Sequence, residues 1–167
     1  MIHLYFGSGK GKTTAAIGLA LRAAGRGLPV TVAQFLKGSD TGERSVLSHL
    51  PGTVVLDVPD SLPFLFQISP EEREAECQRS LALLAQAEEQ AGRGGLLILD
   101  EVCDAVNEGL IPLETLLALL EHTGAETVLT GRAPHQALLD RADYITRFEK
   151  LRHPYDQGTP PRPGIEL

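Results

Sequence analysis

Short unbroken apolar runs alternate along most of the chain with stretches in which apolar positions return at helical spacing. Ile2–Phe6 reads as a first strand. A loop of glycines and lysines follows, and Thr13–Ala24 carries the helical period until Gly25 and Gly27 stop it. Behind Pro29, Val30–Phe35 reads as a second strand. The polar loop Lys37–Gly42 leads to a short helix over Glu43–Leu50, and Thr53–Val58 reads as a third strand. Asp60–Ile68 fits neither period. Ser69-Pro70-Glu71-Glu72 spells a capping box with proline at the first helical position, which opens a long helix to about Ala91. Gly92, Gly94 and Gly95 end it. Leu96–Leu99 is an apolar strand that closes in Asp100-Glu101. Leu113–Glu121 reads as a helix, Glu126–Thr130 as a strand, Pro134–Arg141 as a helix and Tyr144–Leu151 as a last strand. The proline-rich tail, His153–Leu167, reads as extended.

Strands that are apolar on successive positions need cover on both faces, so this order predicts an α/β fold: a mostly parallel sheet with helices on both faces. In such sheets ligands bind beyond the carboxyl ends of the strands. A length of 167 residues fits one domain, expected to span 1–167, and suffices for a core without disulfide staples. With 43% hydrophobic and 22% charged residues, the composition is that of a globular chain and excludes a disordered one. The net charge of −7 excludes a broad electrostatic grip on nucleic acid or on an anionic membrane. Any anion site must therefore be local. Cys77 and Cys103 form neither a disulfide framework nor a zinc spacing. No apolar run reaches the roughly eighteen residues of a membrane span, and Met1–Tyr5 does not read as a signal peptide. The expectation is a soluble, cytoplasmic protein.

Gly7-Ser8-Gly9-Lys10-Gly11-Lys12-Thr13-Thr14 lies between a strand and a helix, the context of a phosphate-binding loop. Glycines let the backbone curl so that successive amides face one centre, and the helix N-terminus adds its partial positive charge. Lys12 is placed to reach phosphate oxygens and the Thr13 hydroxyl to hold Mg²⁺. The usual spacing wants a glycine where this chain has Phe6, so the loop is shorter or differently curled. At the other motif, Leu96–Leu99 delivers Asp100 and Glu101 beside this loop in the manner of a Walker B strand. Two carboxylates brought together repel, unless a cation such as nucleotide-bound Mg²⁺ lies between them.

Gly7–Ala16 resembles the loop of the ATP:corrinoid adenosyltransferases of the CobA/CobO/BtuR type, which share the unusual spacing and commonly carry Asn where Ser8 stands. The likeness continues through Gln34-Phe35-Leu36-Lys37-Gly38, Gly42-Glu43, Leu99-Asp100-Glu101, Leu129-Thr130-Gly131-Arg132 and Ala142-Asp143. It closes with His153-Pro154-Tyr155-Asp156, Gly158 and Gly164-Ile165-Glu166, and so covers nearly the whole chain.

The resemblance implies a RecA-like P-loop fold and transfer of the 5′-deoxyadenosyl group of ATP to Co(I) of a reduced corrinoid, cobalamin or a cobyrinic acid diamide, with triphosphate leaving. ATP is then a co-substrate and Mg²⁺ (or Mn²⁺) the metal. Lys10 and Lys12 would neutralise the departing triphosphate, and Arg132 would add a phosphate contact. Thr13 and Glu101 would hold the metal directly, and Asp100 directly or through water. Gly7, Ser8, Gly9, Gly11 and Thr14 complete the nucleotide loop. A low-potential reductant protein or a flavin, and a homodimer, are implied in the same way. Some family members place an aromatic pair below the corrin; the counterparts by position are Leu62, Phe64 and Phe66. An apolar wall without a donor atom there would keep a lower axial ligand off the cobalt and ease its reduction. His153, inside the closing signature, has a structural or substrate-edge role.

His3, His49, His122 and His135 read as surface or capping residues, and both cysteines as packing. Two rival functions remain open in the sequence. One is a P-loop phosphotransferase or ATPase acting at the γ-phosphate, and the other is a nucleotide-dependent binding module without turnover.

Overall fold

In the computed structural model, which describes residues 1–61 and 68–165, six strands and six α-helices follow in the order the pattern predicts, with one addition. Ile2–Phe6 is β1, Lys12–Ala24 α1, Val30–Gln34 β2, Gly42–Leu47 α2 and Thr53–Val55 β3. Pro70–Gln90 forms α3, Leu96–Asp100 β4 and Val102–Asn107 the added α4. Leu113–His122 is α5, Glu126–Gly131 β5, Gln136–Arg141 α6 and Tyr144–Arg147 β6. Among the described residues no helix is long and apolar enough to cross a membrane.

The sheet runs β3-β2-β4-β5-β1-β6, and its pairings are parallel throughout. This is the α/β, RecA-like arrangement, wholly parallel where the sequence suggested mostly so. Register sets the functional edge: Gln34 lies opposite Asp100, Leu99 opposite Leu129 and Phe6 opposite Gly131, so four strands finish within one residue of one another.

The pleat sends alternate side chains to two separate cores. Leu97, Leu99 and Leu129 point into one, with Leu83 and Leu84 of α3, Leu116 and Leu119 of α5, and Leu138 of α6. Ile98, Val128, Val30 and Val32 point into the other, against Ala16, Ala20 and Ala23 of α1. An alanine face lets the α1 backbone lie close to the sheet, which anchors the loop that precedes it. Each fully buried leucine or isoleucine contributes about 1.5–3 kcal/mol, so the strands hold their ends in fixed places.

At α3 the capping box forms as written. Ser69 N–H donates to Glu72 Oε2 at 2.7 Å, and Glu72 N–H donates to Ser69 Oγ at 3.2 Å. Four expectations are corrected. The tail is not uniformly extended: Pro154–Gln157 is a 3₁₀ turn, ended by Gly158 at φ 84°. β3 stops at Val55, and β6 stops at Arg147 because the chain then leaves the sheet and crosses the glycine loop. α4 follows directly on Glu101, where no helix was expected. Leu62, Phe64 and Phe66, expected beside a corrin, lie outside the described residues.

Candidate active site

The loop after β1 is shaped by a close backbone neighbour. The Gly9 N–H donates to the Phe148 carbonyl at 2.9 Å, and Phe148 N–H donates to Phe6 O at 2.7 Å. A Cβ on Gly7 would run into the Phe148 carbonyl oxygen, and one on Gly9 would sit 2.8–2.9 Å from the Phe148 and Glu149 backbone. Gly7, at φ 118°, also donates its N–H to the carbonyls of Gly131 and Arg132, both at 3.1 Å. The glycines at 7 and 9 thus seat the loop against β5 and the strand-leaving segment, and their amides are used within the protein. That differs from a curl in which all loop amides face an anion. The amides of the first turn of α1 (Lys12, Thr13, Thr14) have no intrahelical acceptor and can serve an anion. Ser8 is exposed and its Oγ accepts from Lys150 N–H at 3.4 Å.

A cleft of about 780 Å³ opens above that first turn. Lys10, Lys12, Thr13, Thr14, Lys37 and Glu101 line it, and Gly164 and Ile165 of the tail close one side. Lys12 Nζ donates to the carbonyls of Gly7 and Gly9 at 2.9 and 3.0 Å. Burial, and next the nearby Arg132, push its pKa below the usual lysine value against the pull of Glu101, Asp104 and Asp100. Arg132 is not among the residues that line the cleft. Its backbone N–H is held by the Asp104 carboxylate at 3.0 and 3.2 Å.

Asp100 is the hub. It is fully buried and accepts from Thr130 Oγ1 at 2.7 Å, Thr13 Oγ1 at 3.0 and 3.2 Å, Lys37 Nζ at 2.7 Å and Gln34 Nε2 at 3.4 Å. Gln34 is itself positioned by Glu43, to which it donates at 3.0 Å, and by Arg44, which donates to its Oε1 at 3.2 Å. Glu101 follows in a left-handed conformation at φ 59°, which turns its side chain out of the strand and into the cleft. Its N–H is capped by Thr130 Oγ1 at 2.8 Å. Burial pushes the Glu101 pKa up, Lys37 opposes this, and Asp100 and Asp104 add to it.

Lys37 carried no assigned role in the sequence, although it stands in one of the resembling segments. Its ammonium reaches Asp100 Oδ2 at 2.7 Å, Thr13 Oγ1 at 3.0 Å and Glu101 Oε1 at 3.7 Å. Burial lowers its pKa, but Asp100 and Glu101 outweigh that and leave it above the usual lysine value. Only the parallel pairing of β2 with β4 brings it there.

Among the described residues no three His, Cys, Asp or Glu side chains gather into a metal cluster. Two carboxylates and one hydroxyl, with a protein cation already among them, suit a hard divalent ion that draws its remaining oxygens from a polyphosphate. The donor set fits Mg²⁺ bound with nucleotide.

His153 does not line this cleft; its Nδ1 accepts from Tyr155 N–H at 3.2 Å and caps the 3₁₀ turn. His135 caps α6 through the Ala137 N–H, and His49 and His122 bond carbonyls of their own helices. His3 pairs with Glu126 at 2.7 Å and stacks on Tyr144. Cys103 is buried, and burial pushes its thiol up to about 12, an inert packing residue.

Residues 1–167 match the family of ATP:corrinoid adenosyltransferases BtuR/CobO/CobP. The chain is similar to the corrinoid adenosyltransferase CobA of Salmonella typhimurium, 34% identical over 171 residues that span 99% of this chain and 85% of that protein. The corrinoid adenosyltransferase of Escherichia coli K12 shows the same 34% identity and coverage. That of Pseudomonas aeruginosa is 30% identical over 173 residues, spanning 100% of this chain and 83% of its relative.

Proposed function

The chain belongs to the ATP:corrinoid adenosyltransferase family and is an enzyme of that type, and on this premise we propose how its cleft performs the transfer. ATP lies with its triphosphate over the first turn of α1 and its ribose 5′-carbon toward a reduced corrinoid. The Co(I) electron pair forms the cobalt–carbon bond as the C5′–O bond breaks, and that bond's electrons leave with triphosphate. Cobalt ends formally as Co(III). No proton is transferred in this step, so the protein supplies position and charge rather than a base.

The single observation that supports this division of labour is the composition of the cleft. Lys10, Lys12 at the start of α1, and Lys37 from the loop after β2 line one cleft together with Thr13 and Glu101. Lys12 exchanges its two loop carbonyls for phosphate oxygens, and Arg132, which follows β5, adds a second charge toward the leaving group. Thr13 and Glu101 would hold Mg²⁺ directly, while Asp100, its oxygens already taken by four donors, orients Thr13 and acts through water. Bound there, the ion supplies charge neutralisation for the departing triphosphate. A low-potential reductant protein or flavin supplies the electrons for Co(I). Leu62, Phe64 and Phe66 remain the proposed apolar wall below the corrin, on sequence alone.

Anaerobic incubation with ATP, Mg²⁺ and a chemically reduced corrinoid tests the reading. Adenosylated corrinoid and inorganic triphosphate in equal amounts are expected. ADP with phosphate would instead assign the site to γ-phosphoryl chemistry, and no turnover would leave a binding module.

A further inference from the structure

We propose that Lys37 is a built-in exchangeable cation: it holds the metal position when the site carries no metal–nucleotide, and yields it when that complex enters. The inference rests on the reading of Thr13 and Glu101 as the metal's direct donors and of Asp100 as the acid that reaches it through water. Those three groups are the ones its ammonium contacts, at 3.0, 2.7 and 3.7 Å.

Asp100 is fully buried, and a carboxylate in that position without a countercharge is strongly unfavourable. Its other donors, Thr13, Thr130 and Gln34, are neutral. The nearby Arg44 is committed elsewhere, to Gln34 Oε1 and to the Leu56 carbonyl at 2.7 Å. The backbone is bent to deliver this lysine. Phe35 is buried and its N–H donates to Asp100 O at 2.9 Å, and Leu36 then takes a left-handed φ of 56°. A leucine adopts that conformation only where the surroundings over-determine it, and such strain concentrates at functional sites.

A divalent ion and an ammonium repel and compete for the same lone pairs, so one must leave as the other arrives. Lys37 also lines the cleft, and its four-carbon stem lets the amine swing toward the phosphates beside Lys10 and Lys12. Metal entry thereby releases a third ammonium onto the leaving group, and the site is never left with two unneutralised acids.

The test is Mn²⁺ binding to nucleotide-free protein, followed by electron paramagnetic resonance of the free ion. Lys37→Met should bind Mn²⁺ about tenfold more tightly than the unaltered chain, a gain of ~1.4 kcal/mol. Its melting temperature in EDTA should fall, and Mn²⁺ should restore it. On the unaltered protein, which does not depend on the variant folding, Mn²⁺ should raise acylation of the Lys37 amine as read by mass spectrometry. Equal Mn²⁺ affinity in the two proteins, or Lys37 labelling indifferent to the ion, overturns the exchange while the donor assignment stands. Failure of both proteins to bind Mn²⁺ either alone or with ATP overturns the donor assignment and the exchange together.

Discussion

Thr130→Val isolates the contact on which the acidic strand end depends. Thr130 is fully buried, donates to Asp100 Oδ1 at 2.7 Å and accepts from Glu101 N–H at 2.8 Å. Valine has nearly the same shape but can do neither. The lost bond to a charged acceptor is worth about 1.5–3 kcal/mol, and the stranded N–H adds about 1 kcal/mol. The new methyl returns about 0.8 kcal/mol. The net loss is about 2–3 kcal/mol, or roughly 5–10 °C in melting temperature for a chain of this size. Thr130→Ser keeps both hydrogen bonds and loses only a methyl, about 1 kcal/mol. Urea denaturation of both variants in EDTA, with the slope checked for constancy, gives the comparison. Valine should be the worse substitution, and Mg-ATP should stabilise it less than the serine variant. A valine protein as stable as the serine one would refute the argument that Thr130 holds Asp100 and Glu101 in place.

Lys12→Ala should abolish detectable turnover, by roughly a hundredfold or more, and weaken ATP binding in calorimetry; unchanged rates would remove Lys12 from the site. Gly7→Ala forces a side chain at φ 118° into the Phe148 carbonyl and should cost roughly 2 kcal/mol or more in chemical denaturation. Wild-type stability there would contradict the packing of the loop under the segment after β6. Burial raises the folded-state pKa of Glu101. Its stability contribution is therefore full below the ordinary glutamate value and is lost as pH rises through the higher folded value. Metal-free melting temperatures should fall as pH rises from the ordinary glutamate value through the higher folded one, and Glu101→Gln should flatten the fall; an identical profile in the variant would show that another group titrates. Phe64→His, motivated by the donor-free sequence around it, should slow reduction of bound Co(II) corrinoid, measured by spectroelectrochemistry, and an unchanged potential counts against an apolar wall.

The strands were readable because parallel strands buried on both faces must be apolar at successive positions, as Leu96–Leu99 is. The start of α3 was readable because its cap is local chemistry. What the sequence hid depends on contacts between distant segments. α4 has six residues, among them two valines and an asparagine, and is held by tertiary packing: Cys103 lies where a Cβ on Gly131 would sit, at 2.5 Å. The 3₁₀ turn in the tail is made by the His153 cap and the left-handed Gly158, where four prolines in the segment suggested extension. The acids and the loop lysines were legible as motifs. Lys37 was not legible as part of the site, because its place is fixed by the Gln34–Asp100 register and by an unusual φ at Leu36. The Phe148 carbonyl under the glycine loop was equally invisible, since nothing in a strand-like run shows where it leaves the sheet.

The central claim is that bond cleavage occurs at carbon and not at phosphorus. ATP carrying ¹⁸O at the oxygen between the ribose 5′-carbon and the α-phosphorus decides it in one turnover with reduced corrinoid. The account predicts the whole label in inorganic triphosphate, on a terminal phosphoryl group, with an unlabelled adenosyl–cobalt product. Label retained on a nucleoside or nucleotide product would place the reaction at phosphorus and contradict it.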